Sequence, residues 1–186
     1  DFPSALRYAS FNTVSIATTT GYSNTDFNLW PAFAPLWMLF LCCFASSSGS
    51  TGGGIKMVRA RLLVQQGLRE MVKLVHPNAQ VPVKLGGHVV PNQIVFAVLA
   101  FMSIYGACVT VMTFLLLVTG VDFITAFSAV VASINNTGPG LNQVGPAANY
   151  AVLTDFQTWV CTVAMLLGRL ELFALLIIFT PAFWRR

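Results

Sequence analysis

The chain has 186 residues, 56% hydrophobic and 9% charged, with a mean hydropathy of +0.73 and a formal net charge of +4. Soluble domains carry about 25% charged residues, so the composition excludes an ordinary water-soluble domain and makes lipid the expected solvent. The basic residues do not gather into one long surface, which argues against a nucleic-acid partner. The four cysteines (Cys42, Cys43, Cys108, Cys161) sit in apolar runs without metal-ligand spacing, as small buried hydrophobes do.

In chain order, Asp1 to Ile16 reads as a short helix with Pro3 in its first turn, too short and too polar to span a bilayer. The loop Thr18-Thr19-Thr20-Gly21-Tyr22-Ser23 follows, then the apolar run Asn28 to Ala45, expected to be a helix of membrane-spanning length. At Ser46 the character changes to a Ser/Gly stretch that ends at Gly54. A flexible linker would have this composition. A Walker phosphate loop would need Gly-Lys-Ser/Thr after a strand, and Gly54-Ile55-Lys56-Met57 does not supply it. The reading preferred is an intramembrane break in a helix, of the kind that lines permeation paths.

Helix resumes from Ile55 to about His76, where Pro77 ends it. Arg69, Lys73 and His76 share one face of it, a solvated or headgroup-facing surface that could also dock a cytosolic partner. Val81 to Val90, apolar alternation around Gly86-Gly87, predicts a small hairpin. Gln93 to Thr119 carries no charge over about 27 residues, the length of a transmembrane helix. Asp122 is placed to cap the next short helix, Phe123 to Ile134. The loop Asn135-Asn136-Thr137-Gly138-Pro139-Gly140 comes next, then an apolar run from Tyr150 to Phe183 that contains Gly168, Arg169 and Glu171.

The two loops form an internal repeat. Each follows a short helix, precedes a long apolar run and holds hydroxyl or amide residues beside a glycine, at an offset of about 117 residues. Non-helical backbone at membrane depth survives only where protein buries it or water lines it. Such a loop can aim its carbonyls at a cation and replace its hydration shell. The sequon Asn135-Asn136-Thr137 is discounted because the repeat puts it in a buried loop. Arg169 lies about 24 Å of helix before Arg185, too far to snorkel. Facing lipid it would cost at least about 2.5–3.5 kcal/mol, so it is expected to face the protein interior or a pore at the depth of the Gly-rich break. Basic residues between 56 and 90 and at the C-terminus put both in the cytoplasm by the positive-inside rule, and Asp26, Asp122 and Asp155 mark the opposite side.

Three motifs in this order, Ser50-Thr51-Gly52-Gly53-Gly54-Ile55-Lys56, Asn135 to Leu141, and Gly168-Arg169-Leu170-Glu171 through Thr180-Pro181-Ala182-Phe183-Trp184-Arg185, resemble the membrane subunit of bacterial Trk potassium-uptake systems. These belong to a superfamily with the Ktr and plant HKT proteins. The resemblance implies an all-α multipass membrane protein of M1–pore helix–M2 repeats with a small cytoplasmic β-hairpin. Residues 1–76 would be the pore helix, filter loop and broken M2 of the third repeat, 77–91 a cytoplasmic linker, and 92–186 the fourth repeat, in a portion of a longer chain.

It further implies potassium uptake across the bacterial inner membrane. K⁺ would be held by backbone oxygens of Thr19, Thr20, Gly21, Asn136, Thr137 and Gly138, with Tyr22 and Pro139 completing the two filter walls. The gate would be Gly49, Ser50, Thr51, Gly52, Gly53 and Gly54 together with the pore-facing Arg169. The family resembled works as a homodimer with a cytosolic regulatory subunit that binds NAD(H) or ATP, and no organic cofactor is expected in this chain. The alternative is a cation-coupled solute symporter with its substrate at the broken helices. An enzyme is not expected, since the apolar runs offer no nucleophile–base pair.

Overall fold

A computed structural model describes residues 1–46, 53–170 and 184. Its elements in order are α1 (Phe2–Ala17), α2 (Phe33–Phe44), α3 (Met57–Val75), β1 (Lys84–Leu85), β2 (His88–Val89), α4 (Asn92–Val118), α5 (Phe123–Ile134) and α6 (Asp155–Arg169). Short 3-10 turns lie at Phe27–Leu29, Asn142–Val144 and Tyr150–Val152.

The architecture is built on α5. Small side chains (Ala126, Ser128, Ala129, Ala132, Ser133) let neighbouring backbones approach closely, and every residue from Ser128 to Asn135 is buried. Helices α4, α6 and α2 pack around it, so this short helix is the pillar of the main core. Ala126, Ala129, Val130 and Ile134 meet Leu116, Val160, Ala164 and Leu167 there. Helix α1 is mostly exposed. It buries Asn12, Ser15 and Ile16, and presents Phe2, Leu6, Phe11 and Val14 outward.

Among the described residues one helix, Asn92–Val118, is long and apolar enough to cross a membrane. Its 27 residues make a rod of about 40 Å. Helix α3 runs antiparallel along its first half. Arg59 sits over the Phe101 ring at 4.0 Å, Leu62 packs with Val95 and Val98, and the Arg69 Nη1 donates to Asn92 Oδ1 at 2.8 Å. The hairpin pairs Lys84 with Val89 and Leu85 with His88 around Gly86-Gly87, as the alternation predicts.

At the far end of α4 lie the three aspartates. Asp26 accepts from the Asn28 amide, Asp155 opens α6 behind a Thr154–Gln157 capping box, and Asp122 caps α5 through the Thr125 amide at 3.1 Å. Asp122 also receives Asn142 Nδ2 on both carboxylate oxygens. It thereby ties the start of α5 to the chain returning from the second loop.

Two expected helices differ in extent. The apolar run from Asn28 becomes helical only at Phe33, because Asp26 sets up a 3-10 turn and Pro31 cannot continue it. The helix ends at Phe44, so α2 has 12 residues and falls short of a span. The run from Tyr150 starts as a 3-10 turn, and the helix begins only after Thr154, whose capping box fixes the entry. Beyond Leu170 the expected continuation, including Glu171, lies outside the described residues.

The Asp122 carboxyl titrates below its usual value. Desolvation raises it, but hydrogen bonds from the Thr125 hydroxyl and amide and from Asn142 outweigh that. A lowered folded value means the cap contributes fully above the ordinary Asp range and is lost as pH falls through the depressed value. Asp122→Ala in the full-length protein is therefore expected to cost about 1 kcal/mol at neutral pH. The gap to wild type should narrow as melting is followed into acid below the ordinary Asp range, and close only below the depressed value.

Candidate functional site

The ends of α1 and α5 close in the same way. Thr18 and Asn135 cap the two helices, and the next residues, Thr19 (φ 55) and Asn136 (φ 54), turn left-handed. The Thr19 amide donates to the Ile16 carbonyl and the Thr20 amide to Ser15. In the second copy Asn136 donates to Ser133 and Thr137 to Ala132, at 2.8–3.1 Å throughout. This pair of backbone bonds is a Schellman closure, usually made with glycine in the left-handed position. Two residues further on, Gly21 (φ 82) and Gly138 (φ 106) are again left-handed, where a side chain would be strained. Both loops thus carry one alternating backbone trace. A β-branched Thr at φ 55 is an outlier that surrounding structure must hold in place.

The loops lie against each other. A Cβ added to Gly21 would fall on the Thr137 carbonyl oxygen, with Pro139 Cδ at 3.3 Å. The residues singled out as one wall (Thr19, Thr20, Gly21, Tyr22) and those of the other (Asn136, Thr137, Gly138, Pro139) are therefore neighbours. Both helix C-termini point at this junction, each with the equivalent of roughly half a negative charge. Side chains on the pillar helices hold the returning strands. Asn12 donates to Asn24 Oδ1 at 2.7 Å after the first loop. Ser128 Oγ accepts from the Leu141 amide at 2.8 Å after the second.

Asn135 supports the second loop from below. It is fully buried, which also disposes of the sequon. Its Nδ2 donates to the Val131 carbonyl at 2.8 Å and contacts Cys43 Sγ at 3.4 Å. Its Oδ1 accepts from the Tyr105 hydroxyl at 3.2 Å. Tyr105 is midway between Asn92 and Val118, so the base of the loop sits about 20 Å from either end of α4. One carboxamide thus joins α2, α4 and α5 at the centre of the span. Sequence reasoning missed this role, and also that of Tyr150, whose hydroxyl donates to the Gly138 carbonyl at 2.8 Å. Tyr105 is one of several polar residues within an apolar run, beside Ser103, Thr110 and Thr113, and nothing local singles it out or marks Tyr150.

Of the gate residues, Gly49, Ser50, Thr51 and Gly52 lie outside the described residues. Gly53 and Gly54 are seated under Asn135. A Cβ on Gly53 would collide with the Asn135 carbonyl, and one on Gly54 would lie 2.6 Å from Asn135 Oδ1 and 2.8 Å from the Cys43 carbonyl. From the other side Gly168 packs on the Ile134 carbonyl, and Asn136 Nδ2 donates to the Met165 carbonyl at 3.3 Å. The Gly-rich segment and the helix bearing Arg169, the residue after Gly168, therefore meet the same helix end. Arg69 departs from the face expected with Lys73 and His76. It turns inward and is buried against Asn92, while His76 stays exposed.

The fold is thus mostly helical, with one apolar helix long enough to cross a membrane packed on the second of two matched helix–loop units. Comparison with known proteins supplies the family: the TrkH model, described as a cation transport protein, matches residues 2–186, and the chain belongs to this family. The Trk system potassium uptake protein TrkH of Vibrio parahaemolyticus is 47% identical over 97% of this chain and 37% of its own length. TrkH of Halomonas elongata is also 47% identical over 97% of the chain and 37% of its own length. The crystal structure of the potassium transporter TrkH from V. parahaemolyticus superposes with a TM-score of 0.91 at 46% identity, over 100% of this chain and 39% of that one. The chain thus spans little more than a third of the length of these relatives. The relatives are transport proteins rather than enzymes.

Replacing Asn135 by Leu keeps its branched outline, with somewhat greater bulk, but removes the acceptor for Tyr105. The change is expected to destabilise the full-length protein by about 1–3 kcal/mol. An unchanged melting temperature would remove Asn135 from its supporting role. Gly168→Ala should be destabilising too, because its Cβ has no room against Ile134.

Proposed function

We propose that the two loops are two walls of a cation filter and that the protein conducts K⁺ into the cell, as the names of its relatives suggest. The observation that carries the reading is the matched pair of Schellman-closed helix ends packed at Gly21 and Thr137. Backbone oxygens of Thr19, Thr20, Gly21, Asn136, Thr137 and Gly138 would replace water around the ion. The helix C-termini would stabilise its charge. The Ser15 hydroxyl, buried at the end of α1 without a hydrogen-bond partner among the described residues, fits a neighbourhood where water or an ion supplies one. A membrane potential gives about 2.3 kcal/mol per charge per 100 mV, sufficient to drive uptake without chemistry.

In this reading Tyr22 and Pro139 border the filter, and residues 49–54 and Arg169 form a gate below it. The outward apolar face of α1 would be covered by further repeats of the full-length protein. Residues 56–90 and the C-terminus would be cytoplasmic in the bacterial inner membrane. The protein would act as a homodimer, moved by a cytosolic regulatory subunit that binds NAD(H) or ATP. The alternative symporter reading gains nothing here, since the relatives are named for potassium uptake.

Rubidium-tracer flux in proteoliposomes tests the filter. Gly138→Ser is strained by its φ although nothing crowds the position, and Gly21→Ser additionally strikes Thr137. Both should collapse the K⁺/Na⁺ preference, the second with greater loss of folded protein. Unchanged flux and preference in Gly138→Ser would overturn the assignment. Tyr150→Phe frees the Gly138 carbonyl and should lower the preference while flux persists. Deleting residues 49–54 should raise basal flux, and unchanged or lower flux would count against the gate.

A further inference from the structure

At the basic end of α4, away from the loops, α3 and the linker enclose an open pocket of about 580 Å³. Arg69 and Lys73 line it from α3. Val81 and Pro82 face them from the strap before the hairpin, and Asn92 closes it where the span begins. Arg69 is only 8% exposed. Its Nη1 is used on Asn92, but its Nε is buried without a hydrogen-bond acceptor among the described residues, meeting the Glu70 carboxylate only in a 3.6 Å ion pair. A buried guanidinium with an unused donor in a pocket is a cost that an anion would relieve.

The charges set the kind of anion. Lys73 Nζ also lies 3.6 Å from Glu70 Oε1, and that oxygen already accepts from Gln66 at 2.8 Å. Two cations against one carboxylate leave a single excess positive charge, which suits a phosphodiester better than a polyphosphate. Depth sets its source. Asn92 is the first residue of the span, so the pocket opens at the level of the lipid headgroups. The half-exposed Ile94 and the exposed Phe96 and Val89 offer apolar surface beside it. The positive-inside rule makes this the cytoplasmic leaflet, where basic pockets between helices meet anionic lipid.

We propose that the Arg69–Lys73–Asn92 pocket is a phosphate-group site occupied by the phosphodiester of an anionic phospholipid. The site rests on α4 crossing the membrane and not on the filter assignment, so flux selectivity and lipid binding report on the two readings separately.

The test uses the full-length protein in mild detergent. Retained lipid is counted by native mass spectrometry and melting is followed with added phosphatidylglycerol, phosphatidylcholine or inorganic phosphate. Wild type should retain phosphatidylglycerol over phosphatidylcholine and be stabilised by it. Lys73→Gln, half-exposed and safe for folding, should weaken that preference by about tenfold, as loss of one charge-assisted contact does. Arg69→Gln should abolish it. Equal stabilisation by inorganic phosphate, sensitive to the same variants, would uphold the site and make free phosphate its ligand. Equal retention of both lipids with no effect of phosphate, or a preference that survives Lys73→Gln and Arg69→Gln alike, would overturn it.

Discussion

The rest of the structure depends on a problem of unpaired backbone. Where α5 stops, near the middle of a span-length helix, its last carbonyls and the amides that follow have no water to turn to, and each unsatisfied group would cost several kcal/mol in hydrocarbon. The solution is local and repeated. A left-handed residue bends the chain so that two amides return to the helix that has just ended, and the Asn135 side chain adds a second bond to the Val131 carbonyl, which already accepts from the Asn135 amide. With those bonds made, the loop can leave other oxygens unspent. Closing the helix end is thus the condition for having a loop at that depth at all.

The same constraint explains the packing of small residues nearby. Gly53, Gly54 and Gly168 press their backbones on the end of α5 where a methyl group would not fit, and Gly21 does so between the loops. Contacts of this kind carry no hydrophobic area worth counting. They act by bringing backbone to backbone, so that chain segments far apart in sequence share one short helix terminus. A core of Leu and Phe could not do this, and the buried face of α5 is correspondingly mostly Ala, Ser and Val.

Much of this was legible in the sequence, for reasons that differ by element. The hairpin followed from a Gly-Gly pair within apolar alternation, α5 from its length and the Asp122 cap, and α4 from an uncharged run. The loop pair was readable because a repeat leaves the same residue types at the same offset. What could not be read were the long-range side-chain partners: Tyr105 with Asn135, Tyr150 with Gly138, Asn12 with Asn24 and Arg69 with Asn92. Each depends on which faces of two separate helices meet, and hydropathy does not encode that for a helix apolar all round. The starts of α2 and α6 were placed too early for a related reason, since composition stays apolar through Trp30-Pro31 and Tyr150 to Leu153 while capping and proline geometry decide where helix can begin.

The two repeats are alike in backbone but not in support, and the difference has a mechanical consequence. Thr18, which stands where Asn135 stands in the second copy, is exposed and returns its hydroxyl to Val14 of its own helix at 2.7 Å. Among the described residues it ties no other helix. Asn135, by contrast, is gripped by Tyr105 and Cys43 and covered by Gly53-Gly54, which belong to the chain that follows the first loop. The segment after one repeat therefore braces the loop of the other. That contact is backbone against backbone with no slack for a methyl group, so residues 53–54 meet the base of the second loop directly rather than through a long path, while the first loop relies on the closure of its own helix.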